Sequence, residues 1–181
     1  AIFADGASAA LITGNPDDAT GKHLALDSFH SQFLHDGEDD MAWKIGNTGF
    51  DMKLSAYVPR IINKNIHDVL GNLLAKSDLR QEEIDIWAIH PGGKAILQKV
   101  ETALGIAPSE LQPSYDVLRE YGNMSSTTIM FVLRRILEDS RFGTMLGLAF
   151  GPGLTVETGI VRKLRKTRKA RNAEKARDEL A

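Results

Sequence analysis

The 181-residue sequence predicts an α/β layer structure with a mixed β-sheet packed against helices. Three observations carry this. Strand-like stretches alternate along the chain with stretches of helical apolar spacing. One strand, Ile84–Ile89 (IDIWAI), is apolar enough to be buried on both faces, as strands of parallel sheets are. The last two strands are separated only by Gly151-Pro152-Gly153, a break tight enough to make them antiparallel neighbours.

The elements follow in order. Residues 1–13 set small and apolar side chains around Asp5-Gly6 and read as a buried strand or a tightly packed strand–turn–helix piece. Asn15-Pro16-Asp17-Asp18 is a turn. Leu24–Leu34 alternates in part and suits a strand, and His35–Asp40 is an exposed acidic loop. Met41–Phe50, with Gly46 and Gly49, is a short strand and turn, after which Met52, Leu54 and Ala56 alternate again. Pro59 suits a first helical turn, and Ile62, Ile66, Val69, Leu70, Leu73 and Leu74 keep helical spacing to about Ala75. The strand Ile84–Ile89 ends at His90-Pro91-Gly92-Gly93. Lys94–Leu104 and Ser114–Tyr121 are helices stopped by Gly105 and Gly122. Ser125–Leu137 is a helix whose centre, Ile129–Leu133, is apolar on every side and predicts a core helix. Thr144–Phe150 and Leu154–Val161 are the closing strands.

Composition bounds the chemistry. A chain 43% hydrophobic, 25% charged and 7% aromatic can bury one core of ordinary size and is not disordered. It contains no cysteine, which rules out disulfides, thiolate zinc sites and a cysteine nucleophile within these residues. No apolar run approaches the roughly 18–20 residues of a membrane helix. The opening residues lack a basic region and are interrupted by Asp5, so they do not form a signal peptide, and a cytoplasmic location is the expectation. Charge is uneven. Residues 162–181 carry nine Lys/Arg against three Asp/Glu, while the rest of the chain is acidic. That basic tail reads as a solvated extension, with contact to anionic lipid, to nucleic acid or to the acidic body of a partner as the sharper readings.

Three places could carry chemistry. His90 stands at the C-terminal tip of a buried strand, the edge at which α/β sheets bind ligands. Gly92 and Gly93 behind it let a ligand approach the backbone and expose amide donors at a helix start. A histidine satisfied by a neighbouring carbonyl is the competing reading. Asn123, between Gly122 and a helix start, either caps that helix or aims its amide at a substrate oxygen. Phe150-Gly151-Pro152-Gly153 is a rigid corner that either floors a pocket or simply turns the chain, and it lacks every feature of a nucleotide loop. No metal-ligating set stands out, and His23, His30, His35 and His67 read as solvated.

Three segments together resemble one family. WAIHPGGKAIL at 87–97, YGNMSSTTIMFVL at 121–133 and FGPGLTVET at 150–158 are similar to signature segments of type III polyketide synthases, the chalcone and stilbene synthase family. IFADGASAALI at 2–12 and VPRIINKNI at 58–66 fit the same family in the same order. The resemblance implies a thiolase-like fold, with residues 1–163 as its C-terminal half and 164–181 as a basic extension. It implies a Cys-His-Asn catalytic set in which His90 and Asn123 supply the His and the Asn, and the N-terminal half supplies the Cys. On this reading the imidazolium of His90 would hold the cysteine as thiolate, and both residues would stabilise the enolate formed from malonyl-CoA. Acyl-CoA and malonyl-CoA are then the substrates, no resident cofactor or metal is needed, and the complete enzyme is a homodimer.

The same resemblance places Gly92, Gly93 and Ala95 on the CoA side of the site. It places Ser125 and the Phe150–Gly153 corner around the growing chain. Met52 falls where plant enzymes carry a gatekeeper phenylalanine, and Trp43 near a small pocket residue. These two departures, with the MAWKIGNTGF stretch, look more like bacterial members. A 3-oxoacyl-carrier-protein synthase III is the alternative within the fold, but that family usually reads H-Q-A-N at the histidine. A non-catalytic, stand-alone thiolase-like partner module is the alternative outside catalysis.

Overall fold

The computed structural model describes residues 3–15 and 21–165. The basic tail beyond Arg165, and Pro16 to Asp18 of the expected turn, lie outside the described residues.

Among the described residues, six strands and four α-helices follow one another: β1 (Lys22–Phe33), β2 (Met41–Ile45), β3 (Phe50–Leu54), α1 (Val58–Ser77), β4 (Ile86–Ile89), α2 (Lys94–Leu104), α3 (Gln112–Tyr121), α4 (Thr127–Glu138), β5 (Gly143–Gly151) and β6 (Thr155–Arg165). The main sheet has the order β1-β6-β5-β4, and β2 and β3 form a separate hairpin. β4 and β5 are parallel, with Ile86 opposite Met145, whereas β5–β6 and β1–β6 are antiparallel. The sheet is therefore mixed, and the two closing strands are antiparallel neighbours, as the tight Gly151–Gly153 break predicts.

The alternation of strand side chains divides the core into two layers. Trp87 and Ile89 of β4, with Leu146 and Leu148 of β5, pack against α1 and α2 through Ile62, Ile66, Leu73, Leu97 and Val100. Ile86, Ala88 and Met145 face the other way, against Val117 of α3 and Val132 and Ile136 of α4. Covered on both sides, β4 is buried at all four residues, which is why it reads as a continuous apolar run. Gly105 closes α2 in the left-handed region, at the residue the sequence marks as its stop.

Two expectations change. Residues 3–13 form neither a buried strand nor a helix. They run exposed, with Leu11 at 94% and Ile12 at 76% exposure. Strand propensity needs a partner ladder, and the described residues offer one only at the start, where the Ala4 amide donates to the Asn123 carbonyl at 2.8 Å. Helix α4 is not a core helix on all sides. It buries Thr128, Val132 and Ile136 on the sheet, while Ile129, Met130, Phe131, Leu133 and Leu137 stay half-buried. The apolar composition of α4 exceeds what one sheet face can cover.

The far end of α4 is held by lysines. Lys163, fully buried on β6, donates to the Ile136 and Asp139 carbonyls and to Asp139 Oδ1 at 2.8 Å. Lys22 donates to the carbonyls of Glu138 at 3.0 Å and Asp139 at 2.6 Å. The final carbonyls of the helix thus meet cations, as the helix dipole favours.

Candidate active site

β4 ends at His90, whose amide continues the ladder by donating to the Leu148 carbonyl at 2.7 Å. By strand alternation His90 follows Ile86 and Ala88 and leaves the sheet on the side of α3 and α4. It is 8% exposed, and its ring makes no hydrogen bond among the described residues. Burial pushes its pKa down to about 4, so the imidazole is neutral at neutral pH.

The chain then turns through Pro91 and Gly92 into α2. The Gly92 amide donates to the His90 carbonyl at 2.9 Å. Gly93 precedes α2 in extended conformation, and a methyl group added there would meet nothing within 4 Å. Ala95 is exposed on the first turn of α2. This stretch presents bare backbone to whatever lies in front of it.

Asn123 comes from the other direction, between the end of α3 and the start of α4. Gly122 ends α3 with φ +74, and the chain reverses into the Asn123–Ser125 turn. Asn123 is buried, and each end of its carboxamide is engaged. Nδ2 donates to the Gly92 carbonyl at 3.0 Å, and Oδ1 accepts the Ser125 amide at 2.9 Å. These partners set the orientation of the amide and, among the described residues, leave one of its two N–H donors uncommitted. Ser125 itself is exposed and sits at φ +58, a left-handed conformation uncommon for a non-glycine residue.

The structure therefore joins His90, Gly92, Asn123 and Ser125 into one hydrogen-bonded unit, beside Gly93 and Ala95. Two further groups support it, and the sequence pattern singles out neither for the site. Ser114, fully buried on α3, donates its hydroxyl to the Ile89 carbonyl at 2.6 Å, one residue before His90. Thr128, fully buried on α4, lies against the Asn123–Ser125 turn. The apolar spacing of α3 and α4 gives no hint of either hydroxyl.

Trp43, Met52 and the 150–153 corner form a separate group. Trp43 and Met52 are cross-strand partners in the β2–β3 hairpin, 55% and 44% exposed. Ile45 and Phe50, also paired and more exposed, extend the same apolar face, and the Trp43 and Phe50 rings lie 5.7 Å apart. The Gly153 amide donates to the Met41 carbonyl at 2.6 Å and ties the corner to the foot of this hairpin. Phe150 is buried in the α1 layer of the core, so Gly151, Pro152 and Gly153 are the open part of the corner. No hydrogen bond or ring contact among the described residues joins this group to His90 or Asn123. A cleft of about 320 Å³ lies elsewhere, on the β1 side of the sheet, lined by Asp27, Ser28, Ser77, Thr144 and Arg162. Among the described residues, no group of three or more His, Cys, Asp or Glu is placed to hold a metal ion. No helix there is long and apolar enough to cross a membrane.

Comparison with known proteins decides the family. The model of the C-terminal domain of chalcone and stilbene synthases matches residues 25–165. The chain belongs to the chalcone and stilbene synthase family. Type III polyketide synthase B of Arabidopsis thaliana is 36% identical over 176 residues, covering 91% of this chain and 45% of its own length. Polyketide synthase 37 of Dictyostelium discoideum is 34% identical, covering 92% of this chain and 6% of that much longer protein. Among solved structures, PKS-I of the brown alga Ectocarpus siliculosus superposes with a TM-score of 0.71 at 31% identity, over 78% of this chain and 40% of that one. The C-terminal type III domain of the Dictyostelium hybrid synthase Steely1 gives the same TM-score at 29% identity, over 77% and 40%. The fold is thus the thiolase-like one of type III polyketide synthases, and the chain spans less than half the length of the Arabidopsis relative.

Proposed function

We propose that this chain supplies His90 and Asn123 to a synthase that condenses malonyl-CoA onto an acyl-CoA starter. The nucleophile is a cysteine thiolate from the half of the fold these residues do not include, since the sequence holds no cysteine. The observation that carries the reading is the buried unit around the Gly92 backbone. It sets a neutral imidazole and a carboxamide with one spare N–H at the same strand end.

In this reading the thiolate attacks the acyl-CoA carbonyl and expels CoA. Malonyl-CoA then loses CO₂, and the electron pair of the broken C–C bond moves into the thioester as an enolate. The developing oxygen charge is met by the imidazole N–H of His90 and the spare N–H of Asn123, fixed dipoles in a site shielded from water. The enolate carbon attacks the enzyme-bound acyl thioester and releases the thiolate. Before catalysis, the approach of the cysteine raises the His90 pKa from its buried value and stabilises an imidazolium–thiolate pair. The exposed backbone at Gly92, Gly93 and Ala95 takes the CoA arm. Ser125, the Gly151–Gly153 corner, Phe150 behind it, Trp43 and Met52 shape the space for the growing chain. No resident cofactor takes part.

The half-exposed apolar face of α4 and the uncovered residues 3–13 are where the cysteine-bearing half would pack. A cytoplasmic location and a homodimeric complete enzyme belong to the same proposal.

The test is malonyl-CoA decarboxylation by the complete synthase. His90→Ala and Asn123→Ala should each lower the rate by about a hundredfold or more, the scale of losing one oxyanion donor. Parental rates in both variants would overturn the assignment.

A further inference from the structure

We propose that Thr128 is a positioning residue that sets the carboxamide of Asn123. The inference rests on the functional reading above.

Thr128 is fully buried in the first turn of α4. Its Oγ1 accepts the Met124 amide at 2.8 Å and donates to the Ser125 carbonyl at 2.8 Å. The same oxygen lies 3.4 Å from Asn123 Oδ1. A hydroxyl has one proton to give, and the Ser125 carbonyl is the closer acceptor. Thr128 therefore spans the turn from its first peptide to its last one.

That span matters because the turn is strained. Ser125 holds φ +58, a conformation that costs an L-residue about 1–2 kcal/mol. The amide of the same residue donates to Asn123 Oδ1 at 2.9 Å and closes an Asx turn at the edge of this strained position. Among the described residues, only the Ser125 amide and the Thr128 hydroxyl reach that oxygen. Without the hydroxyl, the Met124 amide loses its buried acceptor and the Ser125 carbonyl keeps only the Thr128 backbone amide, at 3.1 Å. Ser125 then relaxes toward an ordinary conformation and releases Oδ1. The Asn123 carboxamide is left held at one end, by Gly92 alone, and its spare N–H no longer has a fixed aim. Ser126, the residue before α4, makes no side-chain cap of its own, so no second hydroxyl replaces this one.

Thr128 touches no reacting atom, so its effect should appear in turnover rather than in substrate binding. The experiment compares T128V, T128S and T128C in the complete synthase by malonyl-CoA decarboxylation, with thermal melting in parallel. T128V keeps the shape and removes the hydroxyl, and should lower kcat by about ten- to a hundredfold with KM changed by no more than about twofold. T128S restores the hydroxyl and should return kcat to within about threefold of the parent. T128C, with a weaker donor of similar size, should fall between them and keeps the test decisive should T128V not fold. Parental kcat in T128V or in T128C, a loss in KM alone, or a T128S variant as slow as T128V would overturn the proposal. Asn123→Ala in the same assay separates the two readings. If Asn123→Ala is inactive while the Thr128 variants turn over normally, only the positioning role falls. If Asn123→Ala turns over normally, the functional reading falls with it.

Discussion

The Asn123 side-chain amide donates to the Gly92 carbonyl at 3.0 Å, across the gap between the start of α4 and the loop leaving β4. Through that bond, and the Gly92 amide on the His90 carbonyl, two distant parts of the chain share one piece of backbone. Replacing Asn123 by Asp leaves the shape and reverses the interaction, because a carboxylate has no proton for the carbonyl it faces. Asn123→Asp should destabilise the protein by about 2 kcal/mol, the cost of a buried polar pair set against itself. It should also confine the variant's full stability to low pH, since only the protonated acid can donate to Gly92, so its deficit against the parent should be larger at pH 8 than at pH 5. Urea unfolding at pH 5 and pH 8 checks both. A variant as stable as the parent at pH 8 would show that the bond carries no weight.

His90 links folding to pH. Its buried pKa of about 4 lies below the ordinary 6.5, so the unfolded chain takes up a proton in a range where the folded one does not. Stability contributed by the neutral ring is complete above pH 6.5 and is lost as pH falls toward 4, by on the order of 3 kcal/mol. His90→Gln should flatten that part of the stability profile. A profile between pH 4 and 6.5 that is the same in both proteins would contradict the burial of the ring.

Ser114 is the support behind His90. Its hydroxyl holds the Ile89 carbonyl at 2.6 Å in a fully buried contact between α3 and β4. Ser114→Ala leaves that carbonyl without its side-chain donor and should cost about 1–2 kcal/mol. Ser114→Thr keeps the hydroxyl but adds a methyl group in a packed site. Chemical denaturation of both variants gives the two costs, and a Ser114→Ala protein with parental stability would remove Ser114 from the framework of the site.

What the sequence made legible follows from how local each signal is. Helix α2 was readable to its ends, because Gly105 takes the left-handed stop that Gly favours. His90 stood out because a buried strand, a Pro and two Gly place it at a sheet edge by local pattern alone. Asn123 was readable as a residue between a helix stop and a helix start, but its bond to Gly92 is a tertiary fact. Ser114 and Thr128 were not readable at all, since a buried hydroxyl in a helix has the same one-letter pattern as an exposed one. Residues 3–13 misled for the opposite reason. Their small and apolar alternation reports an affinity for a partner sheet, and the described residues do not contain one.

Lys163 fixes the other end of the helix that begins behind Asn123. Burial alone would raise the Asp139 carboxyl, but hydrogen bonds from Lys163 and Arg141 outweigh it and hold Asp139 below its ordinary pKa. Lys163→Met keeps the aliphatic bulk and removes the cation from Asp139 and from two terminal carbonyls of α4. The expected loss is about 3 kcal/mol, as for breaking one partner of a buried pair. Lys163→Arg should not rescue it, because the fully buried site is shaped for a single ammonium group. Thermal melts of both variants decide the point, and a Lys163→Met protein melting with the parent would show that Lys22 caps the helix alone.

Gly153, in the corner tied to the β2–β3 hairpin, and Gly93, in the loop behind His90, make a contrasting pair of glycines. Gly153 turns β5 into β6 at φ +108 while its amide binds the Met41 carbonyl, and an added methyl group would come within 3.0 Å of the Phe33 ring. Gly93 is extended, with φ 172, and open space in front of it. Gly153→Ala should therefore cost about 1–3 kcal/mol from backbone strain, a fall of roughly 2–10 °C in melting temperature for a protein of this size. Gly93→Ala should melt within about 1–2 °C of the parent, because its backbone conformation is one that any residue adopts. In the complete synthase the order should invert. The methyl group at position 93 would stand where the CoA arm approaches, so Gly93→Ala should raise the KM for malonyl-CoA while leaving the melting temperature alone. Equal melting temperatures for the two variants would contradict the strained turn at Gly153, and a parental KM in Gly93→Ala would move the CoA path away from this loop.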